Sequence, residues 1–128
     1  MTIAEVSRKY DLSQDTLRYY ERVGLIPSVN RNKSGIRDYT EEDCKWVEFA
    51  KCMRGAGLAI EALIEYLALF EQGDGTIEAR RELLIEQRSL LAARMEEMRK
   101  TLERLDGKIE RYEQRVLARE KELKRTKD

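Results

Sequence analysis

Polar and basic side chains in the segment 13–22 have the types and spacing that can bind nucleic acid. Gln14, Arg18 and Arg22 recur every four residues, which places them on one face of a helix, away from Leu17 and Tyr20. Arginine can bind guanine with two hydrogen bonds or clamp a phosphate, and the first residues of a recognition helix reach base edges. The alternative for such a face is an ordinary solvated surface. The candidate contacts are Ser13, Gln14, Thr16, Arg18, Tyr19 and Arg22.

The chain lacks the side chains that several other chemistries need, because it has two cysteines and no histidine. A structural zinc site normally takes four Cys or His ligands, and general acid–base catalysis most often uses His. The sequence also contains no glycine-rich phosphate loop followed by Lys and Ser or Thr. We therefore expect no metal, no cofactor and no enzymatic activity.

Cys52 is the candidate for a reactive thiol. Lys51 and Arg54 are close enough in sequence to favour its thiolate form. The alternative is a small buried hydrophobic side chain, which is a common place for a free cysteine. Cys44 lies just inside a predicted helix start, where an apolar residue would serve, so we expect it to be structural. A helix would separate the two thiols by about 12 Å along its axis, so a disulfide between them would require unfolding.

Capping residues mark two short helices at the start of the chain. Thr2 and Glu5 have the spacing of a capping box, which begins a helix that ends near Tyr10. Ser13 can cap a second helix, for which Gly24 is the natural stop. Because the connection between them is very short, the two helices must meet at a sharp angle, which predicts a helix-turn-helix.

A small hairpin is predicted directly after the second helix. Residues 29–31 can pair with residues 37–39, and Arg31, Lys33 and Arg37 lie on or near the pair. Its position after a helix-turn-helix is typical of the wing of a winged-helix module. Two further helices follow, the first of them capped by Thr40, so that residues 1–72 form the predicted DNA-binding domain.

Residues 76–124 are predicted to form one long helix that dimerises as a coiled coil. Apolar residues alternate at spacings of four and three from Leu91 to Val116, with charged residues on the flanks. Such a helix would be about 70 Å long, much longer than the preceding domain, so its far half needs another chain. The alternative is a helical hairpin that turns at Gly107.

The overall charge is a point against nucleic-acid binding, because 25 basic residues balance 25 acidic ones. Locally the balance differs: residues 14–40 contain five basic and three acidic residues, a net charge of +2. We therefore expect moderate electrostatic affinity for DNA that falls steeply with salt. The sequence contains neither a long apolar run nor a signal-peptide core, and we expect a soluble, cytoplasmic protein without membrane contact.

Three strings in this sequence resemble the MerR family of transcriptional regulators. They are residues 16–26 (TLRYYERVGLI), residues 37–39 (RDY) before a Thr-capped helix, and residues 53–58 (MRGAGL). The resemblance implies a mainly α protein in which a winged helix-turn-helix precedes an antiparallel dimeric coiled coil. It further implies a homodimeric activator that distorts double-stranded promoter DNA so that RNA polymerase can engage it, associated with the nucleoid when bound. By position, the implied DNA contacts are Thr16, Arg18, Tyr19, Arg31, Lys33, Arg37 and Tyr39, with Tyr20 packed beneath them.

Residues 46–54 (WVEFAKCMR) resemble a short subgroup of this family that is linked to aldehyde and other thiol-reactive stress. The resemblance implies that an electrophile alkylates Cys52, shifts the third helix and alters the coiled coil. Two alternatives stay open at this point. One is a regulator of the same fold that binds a small ligand or acts constitutively, and the other is a coiled-coil adaptor whose N-terminal module binds protein.

Overall fold

The computed structural model describes residues 1–126 of the chain. Five α-helices occupy most of these residues, and a single 3₁₀ turn at Asp74–Thr76 precedes the last one. The helices are α1 (Ile3–Tyr10), α2 (Gln14–Val23), α3 (Glu41–Gly55), α4 (Ile60–Glu71) and α5 (Ile77–Thr126). The predicted mainly α fold, with a helix-turn-helix first and a long helix last, is confirmed.

The helix starts follow the capping residues that the sequence indicated. The Thr2 hydroxyl accepts the Glu5 N–H at 3.2 Å, while the Glu5 carboxylate accepts the Thr2 N–H at 3.1 Å. This reciprocal capping also lowers the pKa of Glu5, because both bonds to Thr2 favour the charged carboxylate. At the other end of the pair, α2 stops at Gly24, whose φ of 87° suits glycine. The outer ends of the helix pair are thus set by local chemistry, while the turn between the helices is held by the Ser7 hydroxyl and carbonyl, which bond to the backbone of Leu12.

A compact unit, Met1–Leu91, contains α1 to α4 and the first part of α5. The predicted division into residues 1–72 and 76–124 falls between the end of α4 and the start of α5, whereas this compact unit extends into α5 as far as Leu91. The core of this unit is formed by apolar side chains from α1 to α4 and from the segments that follow α2 and α3. The largest fully buried ones are Val6, Leu17, Leu25, Ile26 and Val47. Because Leu17 and Tyr20 of α2 are both buried, the opposite face of α2 is turned to solvent.

The segment between α2 and α3 is a tight loop rather than the predicted hairpin of two strands. Among the described residues, Arg31 and Arg37 form an isolated antiparallel bridge and no strand is present. The side-chain oxygen of Asn32 accepts the N–H groups of Ser34 and Ile36. These amides are therefore taken by a side chain, and the strand pairing stops after one bridge. We call residues 29–39 the wing loop.

The second compact unit begins at Ala92 and consists of the remainder of α5. The helix continues through Gly107, so the alternative of a helical hairpin at that residue is wrong. Within the described residues, no helix, α5 included, has the length and apolar character that crossing a bilayer requires.

Candidate nucleic-acid interface

Arg18 lies on the exposed face of α2, where two neighbouring side chains accept hydrogen bonds from it. Its guanidinium donates to the Asp15 carboxylate at 2.9 Å and to the Gln14 side-chain oxygen at 3.3 Å. Tyr19, one position further round the helix, has 38% of its side chain exposed, and the Arg22 guanidinium lies 5.5 Å from its ring centroid. The predicted face of Gln14, Arg18 and Arg22 therefore exists, with its cations partly oriented by neighbours.

The start of α2 presents two hydroxyl groups beside backbone N–H groups. The Ser13 hydroxyl accepts the Thr16 N–H at 3.0 Å and lies 2.8 Å from the Thr16 hydroxyl. A helix N-terminus of this kind carries partial positive charge and suits a phosphate or a base acceptor. Ser13 and Thr16 therefore lie where the first residues of a recognition helix reach DNA.

The wing loop carries three cations, and they differ in how freely they can reach a ligand. Arg31 is exposed and donates to the Gly35 carbonyl at 3.0 Å, and Lys33 is exposed at the tip of the loop. Arg37 is only 22% exposed, and its Nε donates to the Glu21 carboxylate at 2.7 Å. Arg37 is thus the cation that joins the loop to α2.

Glu21 is a residue of the site that the sequence analysis did not single out. Its second carboxylate oxygen accepts the Val29 N–H at 3.1 Å, so one side chain binds both ends of the wing loop. The signal available in the sequence is weak, because Glu21 is one acidic residue between two arginines of α2 and resembles an ordinary helix-surface partner.

Tyr39 is a core residue in this structure, which differs from its implied role as a direct DNA contact. Its side chain is 2% exposed, and its buried hydroxyl has no hydrogen-bond partner among the described residues. Burial raises the pKa of Tyr39, while the nearby Arg37 opposes that shift. A direct contact with DNA would need this hydroxyl to become exposed; in this structure Tyr39, like Tyr20, belongs to the buried core.

The two thiols lie in different surroundings on α3. Cys44 is buried, with its Sγ 3.9 Å from the Met1 sulfur, whereas Cys52 is exposed. The cations flanking Cys52 are engaged elsewhere: Lys51 donates to the Tyr10 carbonyl, and Arg54 donates to a backbone carbonyl at 2.7 Å. Exposure, rather than the neighbouring cations, therefore makes Cys52 available to a reagent. No group of three potential metal ligands occurs in the described part of the chain.

Comparison with known proteins agrees with this arrangement. Residues 1–69 match the MerR HTH family of regulatory proteins. The HTH-type transcriptional regulator AdhR of Bacillus subtilis is 63% identical over 91 residues, which span 71% of this chain and 65% of that relative. A MerR family transcriptional regulator from Listeria monocytogenes has a similar crystal structure, with 51% identity, a TM-score of 0.91, and coverage of 97% of this chain and 94% of that one.

A second solved structure was determined with DNA. It is HiNmlR, a MerR family regulator that lacks the sensor domain, bound to promoter DNA. This chain is 29% identical to it, with a TM-score of 0.80 and coverage of 88% of this chain and 90% of that one. The relatives described here are transcriptional regulators and not enzymes.

Proposed function

Because this chain belongs to the MerR HTH family of regulatory proteins, we propose that it binds promoter DNA as a homodimer and activates transcription in response to aldehydes or other electrophiles. Binding would involve double-stranded DNA in the cytoplasm, at the nucleoid. Cys52 would be the sensor. The observation that carries the DNA-binding part is the oriented Arg18 on the exposed face of α2, beside the cationic wing loop. HiNmlR, a relative of similar fold, was solved on promoter DNA.

The proposed contacts divide between base edges and phosphates. The start of α2 would read base edges, since the exposed hydroxyl groups of Ser13 and Thr16 lie there. The wing loop would bind phosphates, which position the module without reading sequence. Arg18 can do either. The proposed set is Ser13, Gln14, Thr16, Arg18, Tyr19, Arg22, Arg31, Lys33 and Arg37, while Tyr39 belongs to the buried core.

The exposed apolar stripe of α5 supports the proposed homodimer. Its residues are more than half exposed in a single chain, which is unfavourable unless another surface covers them. The stripe consists of Met95, Met98, Leu102, Leu105, Ile109, Tyr112 and Val116. A second copy of α5 is a partner of matching length and pattern.

Two glutamates that flank the far end of the same stripe could pair with arginines in an antiparallel dimer. The spacing of four and three continues upstream through Arg81 and Arg88, which line a groove with apolar residues of α5 and have no ionic partner among the described residues. A parallel pair would place each arginine against its own copy. An antiparallel pair would bring the arginines toward the far half of the partner helix, where Glu113 and Glu120 flank another apolar groove.

The proposed signal is covalent addition to Cys52. The thiolate sulfur would attack the aldehyde carbonyl carbon and form a carbon–sulfur bond, while the carbonyl electron pair moves to oxygen and takes a proton from water. The product is a hemithioacetal, and no oxidant is needed. Because Cys52 is on α3, which contributes Val47 and Ala50 to the core, an adduct there could shift α3 and so the DNA-binding elements packed on it. The regulator would then bend and untwist the promoter for RNA polymerase.

DNA binding is tested by titrating labelled duplexes from the region upstream of the gene with the protein and following fluorescence anisotropy. Arg18→Ala should weaken binding about tenfold or more, since one base or phosphate contact contributes about 1–3 kcal/mol. The matched control is Arg104→Ala, which removes an exposed arginine of α5 that lies off the apolar stripe. Two results would favour the protein-binding adaptor instead. One is that wild type binds upstream and scrambled duplexes equally well, and the other is that Arg18→Ala binds the upstream duplex as well as wild type.

A regulator of the same family without a thiol signal is the second candidate. It shares the proposed DNA contacts and dimer, and it differs only in the response of Cys52. Transcription with a Cys52→Ser variant therefore separates the two candidates.

A further inference from the structure

The Glu21 carboxylate joins three parts of the proposed DNA-binding surface. Glu21 lies on α2, and its two oxygens accept from Arg37 Nε at 2.7 Å and from the Val29 N–H at 3.1 Å. Val29 and Arg37 are near the two ends of the wing loop. A single side chain therefore fixes the whole loop against the recognition helix.

Both members of the ion pair are largely withdrawn from water. The Glu21 side chain is 15% exposed and that of Arg37 is 22% exposed. Hydrogen bonds between charged groups are shorter and stronger than neutral ones, and they are less screened when partly buried. The pair is thus a partly buried ion pair that links α2 to the wing loop, rather than an exposed surface contact.

The orientation of Arg37 leaves its outer nitrogens available. Glu21 engages Nε, and the described structure gives the two terminal nitrogens no partner. A guanidinium has donors on more than one edge, so it can hold a carboxylate on one side and a phosphate on the other. The pairing also explains how an acidic residue can lie beside DNA: Arg37 neutralises the Glu21 carboxylate, which would otherwise repel phosphate.

We infer that Glu21 is a positioning residue for DNA binding, whose carboxylate holds Arg37 and the wing loop so that they meet the DNA backbone together with α2. The inference rests on the proposed DNA binding. The inference predicts the opposite of what charge alone predicts. Removing the negative charge of Glu21 should by itself strengthen binding to phosphates, whereas losing its bonds to Arg37 and Val29 should weaken binding.

The test compares Glu21→Gln with Glu42→Gln, which removes an exposed carboxylate at the start of α3. Dissociation constants for the upstream duplex are measured by anisotropy at several salt concentrations, after circular dichroism and thermal unfolding confirm that each variant folds. We expect Glu21→Gln to bind the duplex about tenfold more weakly, although its net charge is more positive. The slope of log affinity against log salt concentration should decrease in magnitude by about one, as expected for the loss of one phosphate contact. Glu42→Gln should bind as wild type.

A second variant keeps the inference testable if Glu21→Gln does not fold. Arg37→Lys keeps the positive charge but loses the planar donor set, and it should also bind about tenfold more weakly. Equal or tighter binding by Glu21→Gln, or by Arg37→Lys, would overturn the inference while leaving the proposed DNA binding intact. Failure of wild type to prefer the upstream duplex over a scrambled one would instead overturn the proposed function.

Discussion

Cys44 and Cys52 lie eight residues apart on α3, and the structure buries the first while it exposes the second. Eight residues advance about 12 Å along a helix and rotate the side chain by a little over two turns. The rotation turns Cys52 away from the core that holds Cys44. The same helix thus carries one thiol used for packing and one that is open to reagents.

Thiol labelling should distinguish the two cysteines. A large excess of a thiol reagent such as Ellman's reagent should modify one thiol per folded chain quickly, and peptide mass spectrometry should place it at Cys52. The second thiol should react only on unfolding, because burial restricts access to Cys44. Cys52→Ser should lose the fast phase and Cys44→Ala should keep it. Equal rates for both thiols would contradict the burial pattern.

Tyr39→Phe should leave DNA affinity unchanged within about twofold, because the hydroxyl is buried and does not reach the surface. The free energy of unfolding should be unchanged or up to about 1 kcal/mol higher, since a buried hydroxyl without a partner is itself unfavourable. Urea unfolding and anisotropy measure the two effects. A loss of affinity comparable to that of Arg18→Ala would instead support the direct DNA contact implied by family resemblance.

The free energy of unfolding should decrease at alkaline pH because Tyr20 and Tyr39 are buried. Burial raises the pKa values of Tyr20 and Tyr39 in the folded state, so the unfolded chain loses their protons first. Stability should therefore fall as pH rises above about 10, the ordinary pKa of tyrosine. Urea unfolding between pH 8 and 11 should show this fall, and Tyr39→Phe should make it shallower. Tyr19→Phe, at a side chain that is 38% exposed and lies outside the proposed dimer stripe, should have no such effect.

Charge reversal should test the orientation of the proposed dimer. Arg81→Glu with Arg88→Glu should weaken dimerisation at least tenfold, because an antiparallel partner would present Glu113 and Glu120 to them. Adding Glu113→Arg and Glu120→Arg in the same chain should restore it. Analytical ultracentrifugation over a range of concentrations gives the dissociation constants. Restoration would not be expected from a parallel pair, in which each reversed residue faces its own copy.

The sequence predicted those elements of the fold whose causes are local. Thr2, Ser13 and Thr40 cap helices with their own side chains, and Gly24 ends α2 in a backbone conformation that glycine adopts readily. The alternating spacing in α5 depends only on position along one helix. These features need no knowledge of distant contacts.

The features that the sequence did not predict depend on contacts between segments. Asn32 ends the strand pairing by capturing loop amides, although the alternating pattern nearby is typical of a hairpin. Tyr39 follows two charged residues and carries a polar hydroxyl, yet the fold turns its ring into the core. The pairing of Glu21 with Arg37 joins residues 16 positions apart, and no periodicity along the chain encodes it.

Transcription in vitro from the promoter upstream of the gene is the most direct test of the proposed function. Wild type, Cys52→Ser and the matched control Cys44→Ala would each be assayed with purified RNA polymerase, with and without formaldehyde. We predict that formaldehyde raises transcript levels with wild type and Cys44→Ala, and that Cys52→Ser binds the promoter but does not respond. An equal response from Cys52→Ser and wild type, or no response from wild type, would contradict sensing through Cys52.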